Sequence, residues 1–175
     1  IRLARNLKEF PFPGKAEEGQ RRAVLSKCMD AMTDINSLKE STSLEVDDLS
    51  ELDRQILVEK HLISPELSQV DEGSGIVLSS DRNCCVMINE EDHLRIQVLQ
   101  PGLEFKKVWK RADELDSGIE SHVDYAYDSE LGFLTACPTN LGTGLRASAM
   151  MHLPGLVMSK NMDKVINAVN QLGIA

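Results

Sequence analysis

The sequence predicts an α+β domain rather than a parallel doubly wound sheet. Two apolar, β-prone runs, residues 75–79 and 84–89, are separated only by the polar turn Ser80-Asp81-Arg82-Asn83 and read as a hairpin. A third run, Leu94 to Leu99, comes at once, with Arg95 and Gln97 alternating against Leu, Ile and Val. The clearest helical period, residues 103–123, comes after these strands. Phe105, Val108, Trp109, Ala112, Leu115 and Ile119 recur there in helical register.

The remaining elements are read in chain order. Residues 1–15 read as irregular, punctuated by Pro11, Pro13 and Gly14. Residues 16–36 read as a helix with Leu25, Cys28, Met29, Met32 and Ile35 on one face. The polar stretch Lys39 to Asp48 is a loop or a short strand around residues 43–46. Ser50 is a plausible N-cap for a helix through about His61, and Ser64-Pro65 starts a turn or short helix. Pro101-Gly102 ends the third strand. Residues 132–136 read as a strand leading to Cys137. Residues 145–158 and 161–172 read as helices, the first kinked or ended near Pro154. The apolar faces of 16–36, 103–123 and 161–172 are expected to supply the core.

A chain of 175 residues with 42% hydrophobic content can bury one sizeable core. A formal charge of −9 argues against direct nucleic-acid binding, which leaves a basic footprint. An acidic surface suits basic protein partners, although it more often serves solubility alone. Cys28, Cys84, Cys85 and Cys137 form no CxxC pair and show no zinc spacing. Cys84 and Cys85 would point to opposite faces of a strand, as small core residues of a reducing cytoplasm. No apolar run approaches membrane-spanning length.

Two segments carry chemistry. Asn89-Glu90-Glu91-Asp92-His93-Leu94-Arg95 places adjacent carboxylates four and five residues before an arginine. Cys137-Pro138-Thr139-Asn140-Leu141-Gly142-Thr143-Gly144-Leu145-Arg146-Ala147-Ser148 places a thiol, a glycine-bearing loop and a second arginine at what reads as a helix entry. Carboxylates for a cation, arginines for an anion and a thiol between them suit a site that joins a guanidinium to a triphosphate. No GxxxxGK[ST] is present, so the phosphates need other donors. The planar fork of arginine supplies bidentate, charge-assisted bonds to phosphate oxygen. Adjacent Glu90 and Glu91 can enter one pocket only if the strand bends or ends there.

These segments resemble the phosphagen (guanidino) kinase family. Val58-Glu59-Lys60-His61-Leu62-Ile63-Ser64 and Arg146-Ala147-Ser148-Ala149-Met150-Met151-His152-Leu153-Pro154 look like its bacterial protein-arginine kinase branch. The resemblance runs nearly end to end and implies a largely antiparallel β-sheet flanked by α-helices. It implies Glu91 as the catalytic carboxylate, with Glu90 recognising the arginine and Cys137 as the reactive thiol. It implies Arg2, Arg95 and Arg146 as phosphate clamps. It assigns nucleotide contact to His61 and to the run Arg146, Ala147, Ser148, Ala149 and Met150. Many small-molecule phosphagen kinases carry histidine where Met150 stands, which leaves the adenine contact open. For each of these residues a blander role is common: surface pairing for an arginine, burial for a cysteine, capping for a histidine. His93 and Arg5 read as structural, and Met151, Leu153 and Leu156 as core.

The resemblance also implies ATP and Mg²⁺, with the ion carried mostly by phosphate and water rather than by a protein metal site. It implies protein substrates with accessible arginines, an activator protein, protease and chaperone partners in stress response, and a homodimer. Residues 1–175 would be a catalytic domain cut at both ends, because Ile1-Arg2-Leu3-Ala4-Arg5-Asn6 reads as the tail of a longer motif. Two other readings remain: a kinase of free arginine or another small guanidine, and a non-catalytic module that binds nucleotide or phosphoarginine.

Overall fold

The computed structural model describes residues 1–70 and 72–173. The elements in order are β1 (Arg2–Arg5), α1 (Glu18–Thr33), β2 (Thr42–Glu45), α2 (Glu51–Glu59), β3 (Gly75–Leu78), β4 (Cys84–Ile88), β5 (Leu94–Val98), α3 (Phe105–Glu120), β6 (Tyr127–Asp128), β7 (Gly132–Phe133), β8 (Leu145–Arg146), α4 (Pro154–Met158) and α5 (Met162–Gln171). Six strands form one sheet in the order β2-β3-β4-β5-β1-β8, and every neighbouring pair is antiparallel. Helices flank it, so the α+β expectation is met.

The predicted hairpin and third strand are β3, β4 and β5. Their turns are chemically fixed. Ser79 Oγ accepts the Cys84 N–H at 2.9 Å, and Asp81 takes a bidentate pair from Arg111 of α3 at 2.6 and 3.0 Å. Ser50 caps α2 as expected, its hydroxyl accepting the Asp53 N–H at 3.2 Å.

Each sheet face has its own apolar layer. Leu3, Val77, Val86, Ile88, Leu94 and Ile96 pack with α1 and α3. The opposite face buries Ile76, Leu78, Cys85 and Met87 against Val46, Leu62, Ile63 and Leu67. Alternation along the strands therefore sends Cys84 to one layer and Cys85 to the other. In α3, Val108, Ala112, Leu115 and Ile119 are buried, while Phe105 and Trp109 stay substantially exposed at its start.

Four expectations need correction. Residues 2–5 are not irregular; they form β1, an interior strand paired on both sides. Local signals missed it because the strand is four residues long and is made by partners roughly 90 and 140 positions away. Residues 145–158 are not one helix. Leu145–Arg146 pair with β1 as β8, residues 147–153 have no regular structure, and only Pro154–Met158 is helical. Good helix formers lost there to a sheet edge that needed a partner, and Pro154 bars its predecessor from the helix. The strand expected over 132–136 is regular only at Gly132–Phe133. Finally, α5 buries no residue and Met151 is exposed, so neither contributes to the core.

Gly144 makes the β8 pairing possible. Its φ is +61°, and a Cβ there would sit 2.5 Å from the Ala4 carbonyl oxygen. The Ala4 N–H donates to the Gly144 carbonyl at 2.8 Å. Gly144→Ala should therefore destabilise the fold by at least about 1–2 kcal/mol from the left-handed backbone alone, before the clash is counted. A thermal melt indistinguishable from wild type would contradict this.

Candidate active site

The site forms where the second apolar layer stops. Residues directly opposite in an antiparallel pair share a face. Arg2 lies opposite Gln97 on one side and Arg146 on the other, and Arg95 lies opposite Ala4. Arg2, Arg95 and Arg146 thus project from one face of β1, β5 and β8. They line a cleft of about 1250 Å³ together with Glu90, Glu91 and Cys137.

The three cations differ in their surroundings. Arg95 is ion-paired: its Nη1 meets both carboxylate oxygens of Glu90 at 2.6 and 2.8 Å. Among the described residues, Arg2 and Arg146 have no ion-pair partner. Burial, then the neighbouring charges of Arg95 and Arg146, push the Arg2 guanidinium below its ordinary value. Such crowding costs energy that an anion shared among the three would relieve.

The carboxylates divide in the same way. β4 ends at Ile88, and Asn89 turns the chain in a left-handed conformation, φ +58°. The strand stops where two adjacent acids could reach one cleft, as the sequence required. Glu90 is nonetheless occupied. Its side chain is only 5% exposed, held by Arg95 and by the Ser64 hydroxyl. Glu91 is open to solvent and has no hydrogen-bond partner among the described residues. Partial burial, Asp92 and Glu90 together hold its carboxyl above the usual range, opposed by Arg95.

Cys137 is the half-buried thiol, its Sγ 2.9 Å from Thr139 Oγ1. The chain leaves it through a single 3-10 turn, Pro138–Asn140, and the helix expected beyond the loop over 145–158 is helical only at Pro154–Met158. A helix dipole therefore offers it little, and its setting is the cleft itself. Cys28 and Cys85 are deeply buried, and burial pushes each thiol up to about 12. Burial raises Cys84 as well.

His61 lines the cleft at φ +55°, its backbone carbonyl accepting from Gln97 Nε2 at 2.5 Å. Arg146, Ser148, Ala149 and Met150, all exposed, line it too; Ala147 does not. His93 is structural as read. It is fully buried, its Nδ1 accepts the Leu7 N–H at 3.0 Å, and its Nε2 lies 3.0 Å from the Pro11 carbonyl. Nε2 must then carry the proton. Arg5 is structural too: it binds Asp116 at 2.7 Å and the Thr143 carbonyl at 3.0 Å, and lies 3.6 Å from the Phe133 ring centroid. Sequence reasoning missed Ser64, whose hydroxyl meets Glu90, and Asn6, which bonds Asp92 beside Glu91. Neither has a spacing signal, since each acts through a long-range contact. Among the described residues no three His, Cys, Asp or Glu side chains gather as a metal cage.

The sequence profile of the ATP:guanido phosphotransferase C-terminal catalytic domain matches residues 23–175. The chain belongs to this family. A protein-arginine kinase of Halothermothrix orenii is 45% identical over 174 residues, covering 99% of the chain and 50% of the relative. Another from Desulforamulus reducens is 47% identical over 178 residues, covering 99% and 50%. The chain thus spans about half the length of the curated relatives it matches. Among solved structures, the duplicated taurocyamine kinase of Schistosoma mansoni with bound transition-state-analogue components is 27% identical with a TM-score of 0.82, covering 94% of this chain and 24% of that one. A lombricine kinase is 25% identical with a TM-score of 0.76, covering 94% and 50%. These guanidino kinases share the antiparallel sheet with its flanking helices, and the family is one of ATP-dependent transferases.

The pairing pattern separates two variants. Arg146→Ala should weaken Mg-ATP binding yet leave the unliganded melting temperature nearly unchanged, because the exposed guanidinium has no ion-pair partner among the described residues and the backbone pairing with β1 is kept. Arg95→Ala should weaken binding and also lower stability by about 1–3 kcal/mol, by stranding buried Glu90. Thermal melts with and without Mg-ATP tell the two apart, and equal unliganded melts would refute the distinction. Alkylation should label Cys137 well before Cys28, Cys84 or Cys85, a ranking that peptide mass spectrometry reads directly.

Proposed function

We propose that the protein carrying this chain transfers the γ-phosphoryl group of ATP to a guanidinium nitrogen of arginine side chains in proteins. The products are ADP and protein N-phospho-L-arginine. The observation that carries the reading is the meeting, in one cleft, of three convergent arginines with an unpaired carboxylate and a thiol. Residues 1–175 are proposed as part of the catalytic domain.

In this reading Arg2, Arg95 and Arg146 hold the triphosphate, with His61, Ser148, Ala149 and Met150 on the nucleotide side. Ala147 contributes backbone alone. Mg²⁺ enters with the nucleotide, held by phosphate oxygens and water, which asks no cage of the chain. Phosphoryl transfer demands positioning and charge neutralisation more than covalent help from the protein. The acceptor is harder, because a protonated guanidinium is a poor nucleophile. Glu91 accepts a hydrogen bond from it, aims its nitrogen at the γ-phosphorus and takes a proton as the N–P bond forms. Glu90 keeps Arg95 in place, so its part in arginine recognition is indirect. Cys137 flanks the guanidinium from the opposite segment.

Arginine in proteins is favoured over small guanidines because the relatives that match at 45–47% identity are protein-arginine kinases. The solved taurocyamine and lombricine kinases match at only 25–27%. An activator protein, protease and chaperone partners, a homodimer and a cytoplasmic setting enter this proposal on family likeness alone. No described helix is long and apolar enough to cross a membrane.

The test is ATP consumption with an arginine-rich protein, with free arginine and with neither. Protein-dependent turnover is expected. Turnover with free arginine alone would favour the small-guanidine reading, and none at all a binding module. Glu91→Gln should lower kcat by about 10²–10⁴-fold. A carboxyl held above its usual range gains its proton early as pH falls. The acid limb of kcat/KM should therefore lie above the ordinary glutamate value of about 4.3, and Glu91→Gln should lack it. Such a group favours the fold below its raised value and loses that contribution as pH rises through it. On the alkaline side of that limb, the inactive Glu91→Gln should consequently melt no lower than wild type.

A further inference from the structure

The segments that meet at the cleft are tied together behind it by one side chain that touches no substrate position. Asn6 directly follows β1 and is 1% exposed. Its Oδ1 accepts the His93 N–H at 2.9 Å, and its Nδ2 donates to Asp92 Oδ1 at 2.6 Å and to the Leu134 carbonyl at 3.0 Å. Its own carbonyl accepts the Ala126 N–H at 2.7 Å. The amide orientation is forced. Reversed, an oxygen would face a carboxylate and a carbonyl while the nitrogen faced an N–H.

Asp92 completes the link. It is 3% exposed, and the same Oδ1 accepts the Ala136 N–H at 2.7 Å. Asp92 is the covalent neighbour of Glu91, and Ala136 is that of Cys137. One hydrogen bond therefore joins the two segments that carry the carboxylate and the thiol. Asn6 grips both ends, at Asp92 and His93 on one segment and at Leu134 on the other. No backbone sheet pairing among the described residues joins residues 134–137 to residues 89–93.

We propose that Asn6 is a positioning residue that sets the separation and aim of Glu91 and Cys137 around the acceptor guanidinium. The proposal rests on the phosphoryl-transfer reading above. The phosphate side is independent of it, because Arg2, Arg95 and Arg146 are set by the pairing of β1 with β5 and β8. Loosening Asn6 should thus damage the acceptor half of the site and spare the nucleotide half. A misplacement of about 1 Å can cost on the order of 10²-fold in rate.

The experiment compares wild type, Asn6→Ala and Asn6→Ser in the full-length protein, well below each melting temperature. Asn6→Ala should lower kcat at least about tenfold, with Mg-ATP affinity within about twofold of wild type. Cys137 alkylation should change in rate and lose its protection by an arginine-bearing substrate. The Ala136 amide should exchange faster. Asn6→Ser, which keeps one donor and one acceptor on a shorter arm, should fall between, and it decides on the same criteria if Asn6→Ala does not fold. Wild-type kcat and alkylation in a folded variant would overturn the proposal. So would equal losses of kcat and Mg-ATP affinity with unchanged alkylation, which would make Asn6 a residue of the fold only. If wild type transfers no phosphoryl group, the functional reading falls. The alkylation and amide-exchange results would still decide whether Asn6 holds the two segments.

Discussion

Three guanidinium groups that repel one another are held on one sheet face by backbone hydrogen bonds. That opposition organises the site. Arg2 sits between Arg95 and Arg146 because β1 runs between β5 and β8, and the sheet, not side-chain attraction, enforces their proximity. Alternation along β1 then does two jobs. Arg2 turns to the cleft, while Leu3 and Arg5 turn to the layer built with α1 and α3, where Arg5 closes on Asp116. Moving β1 by one residue would exchange these roles and empty the site.

The rest of the cleft shows which charges are tied and which are left free. Glu90 and Asp92 are both sequestered, the first on Arg95 and Ser64, the second on Asn6 and Ala136. Glu91 between them is left open. A run of three acids thus resolves into two braces and one available base. The same division separates Cys137 from the three buried thiols.

Much of the site was legible because its motifs are local. The carboxylate run sits in one turn, and each of the segments holding Arg95, Arg146 and Cys137 contributes to the cleft. Strands β3 to β5 were legible because alternation and a polar turn are short-range signals. What the sequence hid was long-range. β1 and β8 exist only by pairing with each other and with β5, and the 145–158 run has respectable helix propensity that the sheet edge overrides. The ion pair between Glu90 and Arg95 hid in a spacing of five residues that suggests nothing on a strand. Asn6 was invisible because an asparagine beside a four-residue strand looks like a loop residue until its partners, 86 to 128 positions away, are known.

The bond between Arg95 and Glu90 has a consequence for which anions the cleft admits. While the cleft is empty of anion, the tethered carboxylate stands in for a phosphate oxygen and keeps Arg95 aimed. A small monovalent anion arriving there competes with a partner that is covalently fixed nearby, and it gains little. A polyphosphate instead finds Arg2 and Arg146, which no described carboxylate pairs, and needs only to share Arg95 at its end. The arrangement therefore suits an anion long enough to reach all three arginines better than one that meets Arg95 alone.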